Sequence, residues 1–366
     1  MTLLRPPPTT AFHPKLHHRH RRRLPCSPSP LYTEQRKILQ SRTSIKTNRD
    51  HRQAFRVVNV EPDQNTDGEG STILVSEVVD ERLRDVHTGR KWNVLDITTA
   101  GVIAVLHLLC IFAPFTFNWA ALWVSIGLFM TTGLLGIALS FHRHLSHKSF
   151  KIPKWLEYTF AYCGVHALQG TPMDWVRIHW YHHKYCDSEK DPHTPTKGLW
   201  FSYMDWLFDT DRIANLSGDP NIIEEMEKQK FYRFLRKTYI LHPLTLALLL
   251  YVLGGFPFIV WGMAVRIVLL YHMSWLVNAF CHGLGHQTWA TSDLSRNIWW
   301  IGVFAFGEGW HNNHHAFQYS AQFGLEWWQL DMTWHVIRLL ETIGMATDVK
   351  RPYQIDIQRK IAPSKA

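Results

Sequence analysis

WAALWVSIGLFMTTGLLGIALSFHRHLSH, residues 119–147, decides how this 366-residue chain folds: a long apolar run ends in a cluster of histidines. A helix needs ~20 residues to cross ~30 Å of hydrocarbon, and residues 119–140 supply them. Three further apolar segments cover residues 94–112, 239–253 and 258–279. The 239–253 segment is short, so its crossing must borrow flanking residues. Pro114 and Asn118 mark one tight turn, and Gly254, Gly255 and Pro257 mark another. Residues 155–168 are apolar but too few to span, and are expected in the interface or against the bundle.

Two hairpins of crossing helices would put the N-terminus, residues 141–238 and the region after about 280 on one side. The two short turns on the other side carry no Lys or Arg, as orientation by positive charge requires. Trp119, Trp123, Trp155, Trp299 and Trp300 fit an interfacial belt, although core packing accounts equally well for any one of them.

Three histidine clusters fall on that shared side: HRHLSH at 142–147, HWYHH at 179–183 and HNNHH at 311–315. Residues at i, i+3 and i+4 share a helix face, so His179, His182 and His183 can aim together, as can His311, His314 and His315. His142 and His147 are five apart, which is not one α-helical face. His142 is expected on the last turn of its helix, His147 just beyond, and His144 pointing elsewhere. Asn278 and His282, at i and i+4, emerge where the fourth segment ends. Nine imidazoles exceed the roughly six ligands one ion accepts, which implies two metals. Asp187, Asp191 and Glu308 are candidates to hold the second ring nitrogens of the ligands. Isolated His107, His166 and His272 read as hydrogen-bonded core residues. Arg266 inside the fourth segment must face protein or water.

Residues 1–60 hold 13 Lys and Arg against two acids, while the whole chain nets +9, so the body is not basic and a nucleic-acid partner is not expected. Residues 1–55, basic, rich in Ser, Thr and Pro and poor in acids, have the composition of an organelle transit peptide, with a plain disordered tail as the alternative. Residues 56–91 read as a polar linker, 92–345 as a membrane domain and 346–366 as a C-terminal tail. Five scattered cysteines without a CxxC pair give no disulfide framework.

HRHLSH, WVRIHWYHHKYCDSEKDPHTPTKGLWFSYMDW from Trp175, SWLVNAFCH from Ser274 and GEGWHNNHHAF from Gly307 occur together. This combination resembles the membrane acyl-CoA desaturase family of the stearoyl-CoA type over about residues 90–345. Within it the likeness is to the plant branch that includes plastid desaturases acting on palmitoyl-monogalactosyldiacylglycerol. The resemblance implies an all-α integral membrane fold, with four transmembrane helices under a helical cap that faces the cytosol or stroma and holds a histidine-rich di-iron site. It implies two irons bound by His142, His147, His179, His182, His183, His282, His311, His314 and His315, with Asn278 reaching one of them through water. It further implies dioxygen-dependent insertion of a cis double bond, delta-7 in a plastid galactolipid or delta-9 in an acyl-CoA.

The chain has no cytochrome b5-like HPGG segment, so its electrons must come from a separate donor. That donor is ferredoxin if the chain resides in the chloroplast membrane with its site facing the stroma, and cytochrome b5 if it resides in the endoplasmic reticulum. Two other readings stay open: a fatty-acyl hydroxylase with the same histidine boxes, and a membrane metal transporter, whose ligands would lie at mid-bilayer instead.

Overall fold

Each long apolar helix starts at a polar cap that its own sequence supplies. The computed structural model describes residues 91–216 and 219–361. The expected transit peptide, and the linker up to residue 90, lie outside the described residues. Helix α1 (Val94–Cys110) begins at a capping box in which Asn93 accepts from Asp96 N while Asp96 accepts from Asn93 N. The other Asp96 oxygen accepts from Thr210 Oγ1 at 2.7 Å, which fastens α1 to the polar end of the molecule.

Helix α2 (Trp119–Ser146) starts where Asn118 accepts from Ala121 N at 2.8 Å. From Met130 to Ser146 it is wound as a π-helix with i to i+5 bonding, and His147 N closes the last such bond to His142 O at 3.2 Å. The helix thus runs past residue 140, where the apolar run stops. Helix α3 (Lys154–Val165) packs along α2, as expected for a segment too short to span. The approach is close because Gly136 and Gly164 meet: a Cβ on Gly136 would lie 2.5 Å from Gly164 Cα.

The chain continues through α4 (Pro172–Tyr185) and α5 (Leu199–Tyr203) to the apolar pair α6 (Leu241–Ile259) and α7 (Arg266–Phe280), joined by a π turn at Val260–Val265. Gly255 breaks α6 with φ 64° and ψ −154°, a conformation that glycine adopts freely. Leu250 consequently packs on Gly262, its Cδ1 3.0 Å from where a Cβ on that glycine would stand. An unbroken helix would separate these residues by ~18 Å, so the chain folds back here. Four short helices complete the cap: α8 (Trp299–Phe304), α9 (His311–Ala316), α10 (Met332–Thr342) and α11 (Gln354–Ile361). Among the described residues there is no β-strand, only isolated bridges such as Lys151 with Thr347.

Apolar side chains face outward along these helices: Val94, Leu95, Ile97 and Val105 on α1, Trp119 and Trp123 on α2, and Leu244, Leu248, Val252 and Leu253 on α6. In the most apolar window of Leu241–Phe280 only 11% is buried within the protein, against 44% in Trp119–Ser146. Such an exposed apolar surface fits association with a membrane. Where four separate spans were expected, two helical stretches reach membrane length, and the second of them is bent back at Gly255. At 17 residues α1 is shorter than that length.

Of the isolated polar groups in this region, Arg266, His107 and His272 are hydrogen-bonded, whereas His166 Nδ1, expected to be bonded, has no partner among the described residues. Arg266 donates to Gly262 O at 2.6 Å, His166 O at 2.9 Å and Thr132 Oγ1 at 3.1 Å, so it faces protein. His107 and His272 bond to each other at 3.2 Å, and Tyr203 donates to His272 Nδ1 at 2.5 Å.

Gly136→Val is expected to force α2 and α3 apart and to destabilise by about 1–3 kcal/mol, the usual range for overpacking. Thermal unfolding in detergent reads this, with Gly127→Ala as control because nothing lies within 4 Å of a Cβ there.

Candidate metal centre

The nine histidines converge in two adjoining groups. His142, His147, His179, His183 and His314 offer ring nitrogens within 4.8 Å of one another, and His182, His282, His311 and His315 do the same. Each HxxHH cluster therefore divides instead of aiming at one point. In α4, His179 and His183 serve the first group and His182 the second; in α9, His314 serves the first and His311 and His315 the second. The i and i+4 rings stay together, and the i+3 ring crosses to the neighbour.

His142 lies on the last turn of its helix and His147 just beyond it, as expected, but the expectation that they do not share a face needs correction. Five residues is one turn of the π winding, so both rings stand on one face and their centroids are 5.0 Å apart. His144 turns away as expected, with Nδ1 on Phe150 O and Nε2 3.2 Å from Glu157 Oε2.

Local chemistry fixes the supporting helices. Thr171 and Asp174 form a capping box at the start of α4, with Pro172 in the first turn. Helix α9 has six residues, too few to be stable alone, and its two asparagines tie it down. Asn312 Oδ1 accepts from Thr288 N and Trp289 N at 2.8 and 2.7 Å. Asn313 Nδ2 donates to Phe323 O and Gln329 Oε1 at 2.8 and 2.9 Å.

Within the groups, pairs of Nε2 atoms lie close: His147 and His179 at 2.8 Å, His183 and His314 at 2.9 Å, His282 and His311 at 2.9 Å, and His142 and His314 at 3.1 Å. Nitrogens bound to one ion at ~2.1 Å stand about 3 Å apart, so the spacing suits a shared metal. His182 Nε2 is buried without a hydrogen-bond partner, an orphan that a metal would satisfy.

Carboxylates set the tautomers from behind. His142 Nδ1 donates to Glu308, His182 Nδ1 to Asp191 at 2.9 Å and His315 Nδ1 to Asp293 at 3.0 Å, while Asp187 stands 3.0 Å from His282 Nδ1. A proton on Nδ1 leaves the Nε2 lone pair directed inward. Buried Arg143 in turn orients Glu308, donating to it at 3.0 Å and to Asp331 at 2.9 Å.

Loss of hydration, and then repulsion among neighbouring rings, hold His147, His179, His183, His311, His314 and His315 well below the ordinary histidine pKa, so these imidazoles are neutral and able to ligate. His182 differs: burial opposes its charge, but Asp191, Asp187 and Asp293 outweigh that and raise it. Positive charge at this ring is favoured, and a bound cation would supply it. Burial alone would raise Glu308, yet His142 and Arg143 hold it below the usual carboxylate range.

An apolar cavity lined by Gly133, Ile137, Leu270, Val277 and Phe306 also touches His142, His179, His182 and His311. Asn278 lines it too, its carbonyl held by Ser202 Oγ at 3.0 Å. Gln169 donates to the wall residue Ser274 at 2.9 Å.

Asp187, Asp191 and Glu308 all back histidines, although Asp187 serves His282 and not its own cluster. Sequence reasoning missed Arg143, Asp293 and His193. His193 also lines the cavity, and its ring lies 4.4 Å from that of His182. Arg143 sits inside the HRHLSH cluster and His193 two residues after Asp191, so proximity to motif residues was the available signal. Asp293 occupies an irregular stretch with no pattern to mark it.

A family profile described as Fatty acid desaturase matches residues 87–345. The chloroplastic palmitoyl-monogalactosyldiacylglycerol delta-7 desaturase of Arabidopsis thaliana is 59% identical over 295 residues, covering 80% of this chain and 80% of the relative. An acyl-CoA 5-desaturase of Anemone leveillei is 53% identical over 277 residues, covering 76% of this chain and 86% of the relative. A delta-9 acyl-lipid desaturase of Arabidopsis thaliana is 51% identical over 270 residues, 74% of this chain and 88% of the relative.

Glu308→Gln is expected to weaken metal binding by about 10–100-fold, the usual cost of losing a carboxylate behind a ligand histidine; metal titration followed by elemental analysis measures it. The metal-free chain should lose thermal stability as pH falls below about 6.5, where unfolded histidines take up protons that the folded site refuses. Melting curves from pH 8 to pH 5 check the direction.

Proposed function

The chain belongs to the fatty acid desaturase family, and on that premise we propose how its histidine groups, cavity and apolar belt serve the oxidation of an acyl chain. The protein is an oxidoreductase, an acyl-lipid or acyl-CoA desaturase. The observation that carries the proposal is the meeting of two imidazole groups with one apolar cavity.

In this reading His142, His147, His179, His183 and His314 hold one iron, and His182, His282, His311 and His315 hold the other. Asn278 would reach one of the two ions through water. Bound iron would supply the activation of dioxygen needed to break an unactivated C–H bond, for which no side-chain base suffices. The protein's share is placement and protection. The cavity walls hold a saturated chain with two adjacent methylenes beside the imidazole groups and exclude water from the bond being oxidised. Removing two hydrogens while reducing dioxygen to two waters needs two further electrons and two protons from outside, hence a separate electron donor.

The 59% identity to a plastid delta-7 desaturase supports palmitoyl on a galactolipid as substrate and the chloroplast membrane as location. The basic composition of residues 1–55 agrees with a transit peptide. The fold-back at Gly255 supports four crossings: α1, α2 and the two arms of Leu241–Phe280. That topology would put the histidine site on one membrane face, toward the stroma, with ferredoxin as donor.

His182→Ala is expected to abolish double-bond formation while the protein still inserts; lipid analysis after expression in a plastid, beside an immunoblot of the membrane fraction, reads both. Wild-type product should be lighter than substrate by two hydrogens. Gain of one oxygen would identify a hydroxylase instead.

A further inference from the structure

His193 is buried at the site but belongs to neither imidazole group of four or five rings. Its Nδ1 has no hydrogen-bond partner and stands 3.8 Å from Asp191 Oδ1, beyond hydrogen-bonding reach. The other Asp191 oxygen accepts from His182 Nδ1 at 2.9 Å. The two rings are inclined by only 31°, with centroids 4.4 Å apart. One carboxylate thus faces the Nδ1 end of both rings, and both Nε2 ends lead away from it, toward the apolar cavity that His182 and His193 line together. A proton on Nδ1, the end facing Asp191, leaves His193 Nε2 as an open acceptor.

Asn278 lines the same cavity, and one buried hydroxyl joins the two residues: Ser202 Oγ lies 2.7 Å from His193 O and 3.0 Å from Asn278 O. Both side chains are therefore presented from backbone segments fixed to each other. The group next to His193 is the one with four imidazoles, against five in its neighbour, so an ion there keeps more coordination positions for other donors.

We propose that His193 is a positioning residue which, together with Asn278, holds a water on the ion of the second group. The inference rests on the metal reading, and it assigns the ion that Asn278 would reach to His182, His282, His311 and His315. A water on a cation has two hydrogens to donate, one for Asn278 Oδ1 and one for His193 Nε2. His193 itself is no ligand in this arrangement: its ring lies along the flank of His182, with the Trp206 ring 5.3 Å away.

The test uses the full chain loaded with iron in lipid nanodiscs and oxidised to the ferric state, with azide as probe. Azide competes with water for an open position on ferric iron and is followed by its charge-transfer absorption. It has no hydrogen to donate, so an acceptor at His193 Nε2 favours water over azide. His193→Phe, which keeps a flat ring beside His182, should bind azide about fivefold more tightly, the effect of removing one hydrogen bond from the competing water. His193→Gln, which restores an oxygen acceptor, should return to the wild-type affinity, a recovery that a packing role alone would not produce. Iron content by elemental analysis should stay at the wild-type level in both variants. Unchanged azide affinity in the Phe variant, equal shifts in the two variants, or iron lost from either one would overturn the positioning role and leave the metal reading standing. A wild-type chain that takes up no iron would overturn the metal reading, and the positioning role with it.

Discussion

Nine imidazoles stand with ring nitrogens within 4.8 Å of one another in two groups, a crowding that a cation in each would relieve. Protons cannot fill the role for most of these rings, because lost hydration and mutual repulsion keep six of them neutral. Carboxylates placed behind the rings, at Glu308, Asp191, Asp187 and Asp293, favour positive charge in the centre and hold each ring at its angle. Arg143 then stabilises the Glu308 carboxylate, which lies between it and His142.

The apolar belt and the site solve one problem from two ends. Apolar helices that associate with a membrane would keep their backbone bonded internally, and irregular chain would collect where the helices end. The loops that back α9 and the short cap helices gather at that polar end, and the cavity joins it to the apolar interior. Arg266 shows the same economy inside the bundle: two carbonyls and one hydroxyl satisfy its guanidinium without a counter-charge.

Much of this was legible in the sequence. The HxxHH repeats, the apolar runs and the Gly254, Gly255, Pro257 punctuation each depend on local periodicity or local backbone freedom, which a linear text carries. The crossing of His182 and His314 into the opposite group was not legible, because helical spacing says which rings share a face but not where the centres they meet will lie. Nor was the π winding of α2, which turns an awkward spacing of five into a single face; the composition of residues 130–146 gives no sign of it. Asp293 and His193 are brought in by tertiary folding alone. The bounds of α1 were legible to within two residues: its 17 helical residues, Val94–Cys110, end just short of the apolar segment 94–112.

The straddling of α4 and α9 has a consequence for assembly. Each of these helices contributes to both histidine groups, so a small rotation of either would disturb both together. If each group holds an ion as proposed, filling one would stiffen the cradle of its neighbour, and occupancy would pass from empty to full with little of the half-filled form between.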